Sequence, residues 1–408
     1  MSIFREIPPT AGFPVYFKDL RSMFRADLGK NCLAFDFQNY LNISYSRLTY
    51  SGTAALYLIL ESIKELSSKR TVIIPSYVCP LVPLAAKKAG FKVEVCDIYK
   101  DEFSFYHAAL QQLCAKNNDI AAIIAVHLAG IPIDIDAIKG IAKKHGIFII
   151  EDCAQAMGAE YNGKKVGTLG DFAFFSLCRG KGATIYEGGV AVTDNQEYAR
   201  TIESKARGIV KGSLLSEWLK ITELFGFSLI YRPQLFWFAY QLPQIFWRLN
   251  GNELRARIEY FTEDFPMYKV SSIRQKIGHA VFSRLDEEVN KQRNKSNYYA
   301  DKLKDLSGIR VIREPRDSRA SYPYVTLLFG DSEKRDAVLQ AFEGTGMGVS
   351  QIYAFAVTDY PYLKGIMPAK ECPNAEYMAE HSLTLSTSTY LQEDDMRRIC
   401  EDIINITL

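Results

Sequence analysis

The sequence predicts an α/β protein, a large domain with a mostly parallel sheet between helices followed by a smaller C-terminal α+β domain. Two observations carry this. In the first half, apolar β-type runs alternate with stretches of helical spacing, and alternating β and α builds a parallel sheet covered on both faces. The strands are Thr71–Pro75, Val93–Cys96, Ile120–Val126 and Ile147–Ile150, with the helical Leu81–Ala89 and Ile135–Lys144 between them. In the second half the rhythm changes. One long helical stretch, Ser271 to Leu306, places Ile273, Ile277, Val281, Leu285 and Val289 at near-helical spacing, and strand signals return at Tyr324–Phe329 and Leu383–Leu385. At 408 residues there is ample core for two domains, divided as 1–265 and 266–408.

Composition narrows the field without naming a function. The 49 basic and 47 acidic residues are spread along the chain, which gives no reason to invoke nucleic acid. The eight cysteines form no CxxC pair, so neither a metal site nor a disulfide framework is suggested. The start, Met1-Ser2-Ile3-Phe4-Arg5, carries no signal-peptide core, and a reducing cytoplasm is the expected location.

Three segments carry chemistry. Lys181 lies between the apolar runs Phe172–Phe175 and Val190–Val192, five residues after Ser176 and six before Glu187-Gly188-Gly189. A lysine set between buried strands is desolvated or covalently occupied, and a desolvated amine forms Schiff bases readily. Pyridoxal phosphate (PLP) is the obvious carbonyl, and it needs an acid for its ring nitrogen. Ile147–Ile150 runs directly into Glu151-Asp152-Cys153-Ala154-Gln155, which puts either acid at a strand's carboxyl end, where open α/β sheets bind ligands. The plainer reading is that this acidic pair caps the next helix. Third, Ser51-Gly52-Thr53 precedes Leu56, Ile59, Leu60 and Ile63 at helical spacing. A helix start with free N–H groups and a hydroxyl makes a phosphate site, though taken singly it would be an ordinary cap.

With Gly167-Thr168-Leu169-Gly170-Asp171 added, these motifs in this order resemble the DegT/DnrJ/EryC1/StrS family, fold-type I PLP-dependent aminotransferases acting mainly on nucleotide-linked keto-sugars. The resemblance runs from about Pro8 to the C-terminus and is weakest over 205–265. It implies catalytic roles for Lys181, which would hold PLP and shuttle a proton, and for Asp152, which would pair with the pyridine nitrogen. Gln155 would lie near the ring's phenolic oxygen; Gly52, Thr53, Ala54 and Ser176 would bind the phosphate. His127, in Val126-His127-Leu128-Ala129-Gly130, matches a further family motif, with a structural role preferred to a catalytic one. Also implied are an amino-acid donor, usually glutamate, a nucleotide-sugar acceptor, a homodimer and a product for cell-surface polysaccharide or glycan. Rival functions are a dehydratase-like PLP enzyme, which Lys181 argues against, and a binding or regulatory protein that retained the fold.

The chain departs from the family in three places. Cys79, in Pro75-Ser76-Tyr77-Val78-Cys79-Pro80, stands where an aromatic usually covers the cofactor ring, so either its sulfur packs there or Tyr77 takes over. Met267 replaces an asparagine that often reaches a neighbouring subunit's cofactor. The histidine that often follows the tyrosine near the sugar pocket is missing from Tyr353-Ala354-Phe355-Ala356-Val357.

Residues 214–249 are unusual. All three tryptophans (Trp218, Trp237, Trp247) fall there among phenylalanines and tyrosines, flanked by Lys220, Arg232 and Arg248. The uncharged run Pro233–Trp247 falls short of the roughly 20 apolar residues that span a bilayer. Its composition suits a peripheral membrane contact, a subunit contact or a pocket wall.

Overall fold

The computed structural model describes residues 5–25, 32–252 and 260–408. Seven strands build the main sheet: β1 (Tyr45–Thr49), β2 (Thr71–Pro75), β3 (Lys92–Cys96), β4 (Ile120–Val126), β5 (Phe148–Asp152), β6 (Phe172–Ser176) and β7 (Gly189–Thr193). Their spatial order is β1-β7-β6-β5-β4-β2-β3. The pairings from β3 through β6 are parallel, whereas β7 runs antiparallel to both β6 and β1. Strands β2, β4, β6 and β7 are buried at every residue, which is why they read as continuous apolar runs instead of alternating ones.

Helices α1 (Gly52–Leu66), α2 (Leu81–Lys88) and α3 (Ile135–His145) cover this sheet. The Asp134 side chain caps α3 through Ala137 N–H, and Gly146 closes it in the left-handed conformation, as its place after the last apolar residue foretold. Helices α4 (Leu214–Ile230) and α5 (Pro233–Leu249) carry the aromatic segment. Glu217 of α4 forms a buried ion pair with Arg274, whose guanidinium also hydrogen-bonds Glu187 C=O, so α4 is tied to the loop that follows Lys181.

The long helix expected over Ser271–Leu306 is two: α6 (Ser272–Phe282) and α7 (Leu285–Leu303). The break falls at Ser283-Arg284. The Arg284 guanidinium reaches Asp19 at 2.6 Å and Pro14 C=O at 2.8 Å, so it is held by the N-terminal segment while ψ swings to 9°. Beyond α7 a second sheet runs β8 (Ile309–Val311), β9 (Tyr324–Phe329), β10 (Val349–Ser350) and β11 (Ser382–Ser386), ordered β8-β9-β11-β10 with antiparallel pairings. It has its own core, into which Ile7 of the N-terminal segment packs.

Candidate functional site

Strand β5 extends through Glu151 and Asp152, and no helix follows over 153–159, so the acidic pair does not cap one. The two neighbours have opposite environments. Glu151 is fully buried. Its Oε2 accepts from Gly167 N–H (2.9 Å) and the His127 ring (3.0 Å), and its Oε1 accepts from Leu169 N–H (2.6 Å) and Gly170 N–H (2.7 Å). Burial alone would raise this carboxyl; the His127 N–H and the backbone donors outweigh it and hold it below the usual carboxylate range. His127 Nδ1 accepts from Ile133 N–H at 3.2 Å, which leaves Nε2 to donate. Cys153 lies close enough to His127 and Glu151 for the three to surround a cation. The network is already closed by four donors on Glu151, and it reads as the fastening of the Gly167–Gly170 turn to β5.

Asp152 is different. It is 5% exposed and accepts one hydrogen bond from the described residues, Ala154 N–H to Oδ1 at 2.9 Å. Burial pushes its carboxyl up to about 6, against the pull of that N–H and of Lys181 and His127. A buried carboxyl short of donors favours a cation brought to it. The residues alone left the choice between the two acids open and the family resemblance pointed to Asp152; hydrogen bonding leaves Asp152 the freer of the two.

Asp152 and Ser176 end adjacent parallel strands, and Ser176 pairs with Gly189 across β7. Ser51 caps α1, its Oγ taking Ala54 N–H at 3.1 Å. Ala54 N–H is therefore engaged, while Gly52 and Thr53 precede the first intrahelical donor, Ala55 N–H to Ser51 C=O. Two glycines let this helix start meet the strand ends. A Cβ on Gly52 would sit 3.1 Å from Ser176 Cβ, and one on Gly189 would sit 2.3 Å from Ser51 C=O. The donor set of Gly52 N–H, Thr53 N–H and hydroxyl, and Ser176 Oγ suits a phosphate; Asp152, with one donor among the described residues, suits a protonated ring nitrogen; the charge of Lys181 pulls on both the Asp152 carboxyl and the Cys79 thiol. These residues fit PLP.

Tyr77 is spent elsewhere. It is 2% exposed, stacks on Phe103 and donates to Tyr353 C=O at 3.1 Å, so of the two ways to cover the ring only Cys79, half-buried beside Lys181 and Asp152, stays open. Two neighbours were missed in the sequence, Tyr324 and the Thr10–Phe13 segment, and a third, Tyr353, was marked there only as a tyrosine near the sugar pocket. Tyr353 crowds Cys79 and Asp152, and Tyr324 hydrogen-bonds Gln155. The segment Thr10–Phe13 lies on the Lys181 loop, Phe13 N–H donating to Lys181 C=O at 3.2 Å, with Gly12 so close that a Cβ would lie 2.7 Å from Gly180 Cα. Of the two that were missed, only the glycines left a signal in the sequence. Met267 packs at the edge of the core and its C=O accepts from Lys211 N–H at 2.9 Å.

A buried acid at a parallel strand end, a lysine within its electrostatic reach and a helix start packed against the neighbouring strand end fit the PLP site of a fold-type I enzyme. Residues 19–228 and 248–404 match the model of the DegT/DnrJ/EryC1/StrS aminotransferase family, and the chain belongs to that family. It is 26% identical over 375 residues to UDP-4-amino-4,6-dideoxy-N-acetyl-beta-L-altrosamine transaminase of Campylobacter jejuni, spanning 90% of this chain and 86% of that protein. Among solved structures it superposes on Helicobacter pylori PseC, an aminotransferase involved in the biosynthesis of pseudoaminic acid, with TM-score 0.76, 16% identity and 99% of both chains covered. A putative sugar aminotransferase of Streptococcus pneumoniae, solved in its PLP form, gives TM-score 0.75, 18% identity and 98% of both.

Proposed function

We propose that this protein transfers an amino group from an amino acid, with glutamate the expected donor, to a keto-sugar nucleotide, yielding an amino sugar for surface polysaccharide or glycan. The observation that carries this is Asp152, a buried acid with one hydrogen bond from the described residues and within electrostatic reach of Lys181. Bound PLP supplies the electron sink for breaking the donor's Cα–H bond. The chain's own residues do the rest. Asp152 would pair with the ring nitrogen and keep it protonated. Gly52, Thr53 and Ser176 hold the phosphate. Lys181 would hold the cofactor through Nζ, and the same Nζ would carry the proton between the donor's Cα and the cofactor. The relatives' names support a sugar substrate.

Borohydride reduction of the PLP-loaded protein followed by peptide mapping should place the pyridoxyl group on Lys181, and Lys181→Ala should lose all transamination while remaining folded. A pyridoxyl group on Lys164 or Lys165 would sink the site. UDP- and dTDP-linked 3-keto and 4-keto sugars are the acceptors to screen.

In the same reading the enzyme is a cytoplasmic homodimer divided at about residue 265, and α4 and α5 rest on an anionic lipid surface. The lipid reading rests on α5, which falls almost wholly between the two stretches that match the family. Leu235, Phe238, Leu242, Ile245, Phe246 and Leu249 are exposed along one face of it. From Leu224 to Asn252 there is no acidic residue, and Arg232 and Arg248 flank the helix. Among the described residues no helix is long and apolar enough to cross a membrane.

A further inference from the structure

The neighbours of Gln155 decide which way its carboxamide faces. Oε1 lies 3.0 Å from Ala129 N–H, a group that can only donate, and the Tyr324 hydroxyl hydrogen-bonds the same atom. The atom there is therefore oxygen, and both amide N–H donors face away from Ala129 and Tyr324.

The two donors come from different sheets. Ala129 follows β4 of the main sheet and has φ 57°, a left-handed conformation that alanine adopts only where its surroundings hold it. The hold comes from the segment leading into β9. Ser321 N–H donates to Gly130 C=O at 3.0 Å, and a Cβ on Gly130 would lie 2.3 Å from Ser321 Oγ and 2.8 Å from Pro323 Cδ. Ser321 Oγ also reaches Gln155 C=O at 3.4 Å. Tyr322, at φ 52°, is fastened in turn by the Thr387 hydroxyl on its C=O at 2.7 Å. Tyr324, on β9, is 2% exposed, so its hydroxyl has little freedom to turn elsewhere.

We propose that Tyr324 is a positioning residue: it orients Gln155 so that the carboxamide N–H donates to the cofactor's ring oxygen, and so couples the cofactor's protonation to the packing of the C-terminal sheet. This rests on the PLP reading above. A donor on that oxygen favours its ionised form and lowers the pH at which the bound cofactor loses its Schiff-base proton. Removing the donor, or letting it swing away, raises that pH.

The test is a pH titration of the visible absorbance of the PLP-loaded protein. Tyr324→Phe keeps the ring and its packing but removes the hydroxyl; its titration midpoint should rise by about half a pH unit or more, roughly threefold in proton affinity. Gln155→Leu should raise it at least as far. The double variant should match Gln155→Leu alone, because Tyr324 acts only through Gln155. A wild-type midpoint in Tyr324→Phe, or additive shifts in the double variant, would overturn the proposal; a change confined to thermal stability would mean a purely structural tyrosine. Should Tyr324→Phe not fold, an unmoved midpoint in Gln155→Leu still overturns it. Wild-type protein with no bound-PLP absorbance would instead refute the functional reading, a separate result.

Discussion

At the strand ends around Asp152 polar groups are buried and apolar ones fill the space behind them; on α4 and α5 the arrangement is turned inside out. Asp152 is 5% exposed and Ser176 7%, whereas Phe246 is 56% and Trp218 64% exposed. Both arrangements cost free energy in isolation: a buried acid loses its hydration, and an exposed aromatic surface orders water. Each is the mark of something not supplied by the chain's own fold. At the strand ends Asp152 suits a cation and the donors of Gly52, Thr53 and Ser176 suit an anion, so the groups there fit a molecule that carries both. On the helices the exposed surface is apolar and extended, and from Leu224 to Asn252 the sequence carries no acid. The first region therefore specifies a molecule, and the second specifies only a medium.

The sharpest way to break the comparison is at Asp152. Asp152→Asn retains the shape and removes the charge that, in the proposed function, would keep the ring nitrogen protonated. Losing a strong electrostatic stabiliser of the transition state costs roughly 10²–10³ in rate, and kcat for transamination should fall by that factor. PLP should still bind through Lys181 and the phosphate donors. Wild-type turnover would show that the missing partner of this acid is not the cofactor. Glu151, with four donors, is no substitute candidate.

How much of this was visible in the sequence follows the same division. The motifs around Lys181, Asp152 and Ser51–Thr53 are each contiguous in the chain, so local pattern marked them as candidates and the family resemblance gave them roles. The choice of Asp152 over Glu151 came from the family resemblance; the backbone donors from Gly167 to Gly170 that occupy Glu151 show in no local pattern. Tyr324 is 169 residues from Gln155 in sequence, and the Arg284 that breaks the long helix is held by Asp19, 265 residues away. Such contacts are made by tertiary packing, and no periodicity records them. The aromatic segment was conspicuous by composition. Its fold, two helices with one apolar face turned outward, follows from helical spacing, but composition alone leaves its occupant unnamed.

A smaller effect is expected where the two regions meet. Glu6 is 3% exposed, its N–H donates to Pro233 C=O and its carboxylate accepts from Gln241 of α5 at 3.0 Å. Burial pushes its carboxyl up to about 7, the Gln241 bond opposing. The folded state thus holds a proton there that the unfolded chain releases near its ordinary value of 4.5. Stability from this site is fully present below about 4.5 and is lost as pH rises through about 7. Glu6→Gln should flatten that part of the curve. The check is the thermal midpoint at pH 5 and pH 8 in both proteins: the wild-type drop between them should shrink in the variant. An equal drop in both would place the titration elsewhere.

The smallest effect on catalysis, and the one that tests the outward face, comes from α5. Phe238 and Phe246 are 48% and 56% exposed on a helix whose other side is tied to Glu6 through Gln241 and to Glu343 through Arg248. Replacing both with Ser removes apolar area from the exposed face and leaves those ties intact, so transamination of a soluble sugar nucleotide should be unchanged. Wild-type protein should co-sediment with vesicles rich in anionic lipid, and less so as salt rises, because screening weakens the attraction of Arg232 and its neighbours. The double variant should stay in the supernatant at every salt. If the face instead meets a second copy of the chain, wild-type protein should ignore vesicles, and the double variant should elute as a monomer on gel filtration. Vesicle-blind wild-type protein at low salt ends the lipid reading; a variant that binds vesicles as well as the wild type moves the contact off α5.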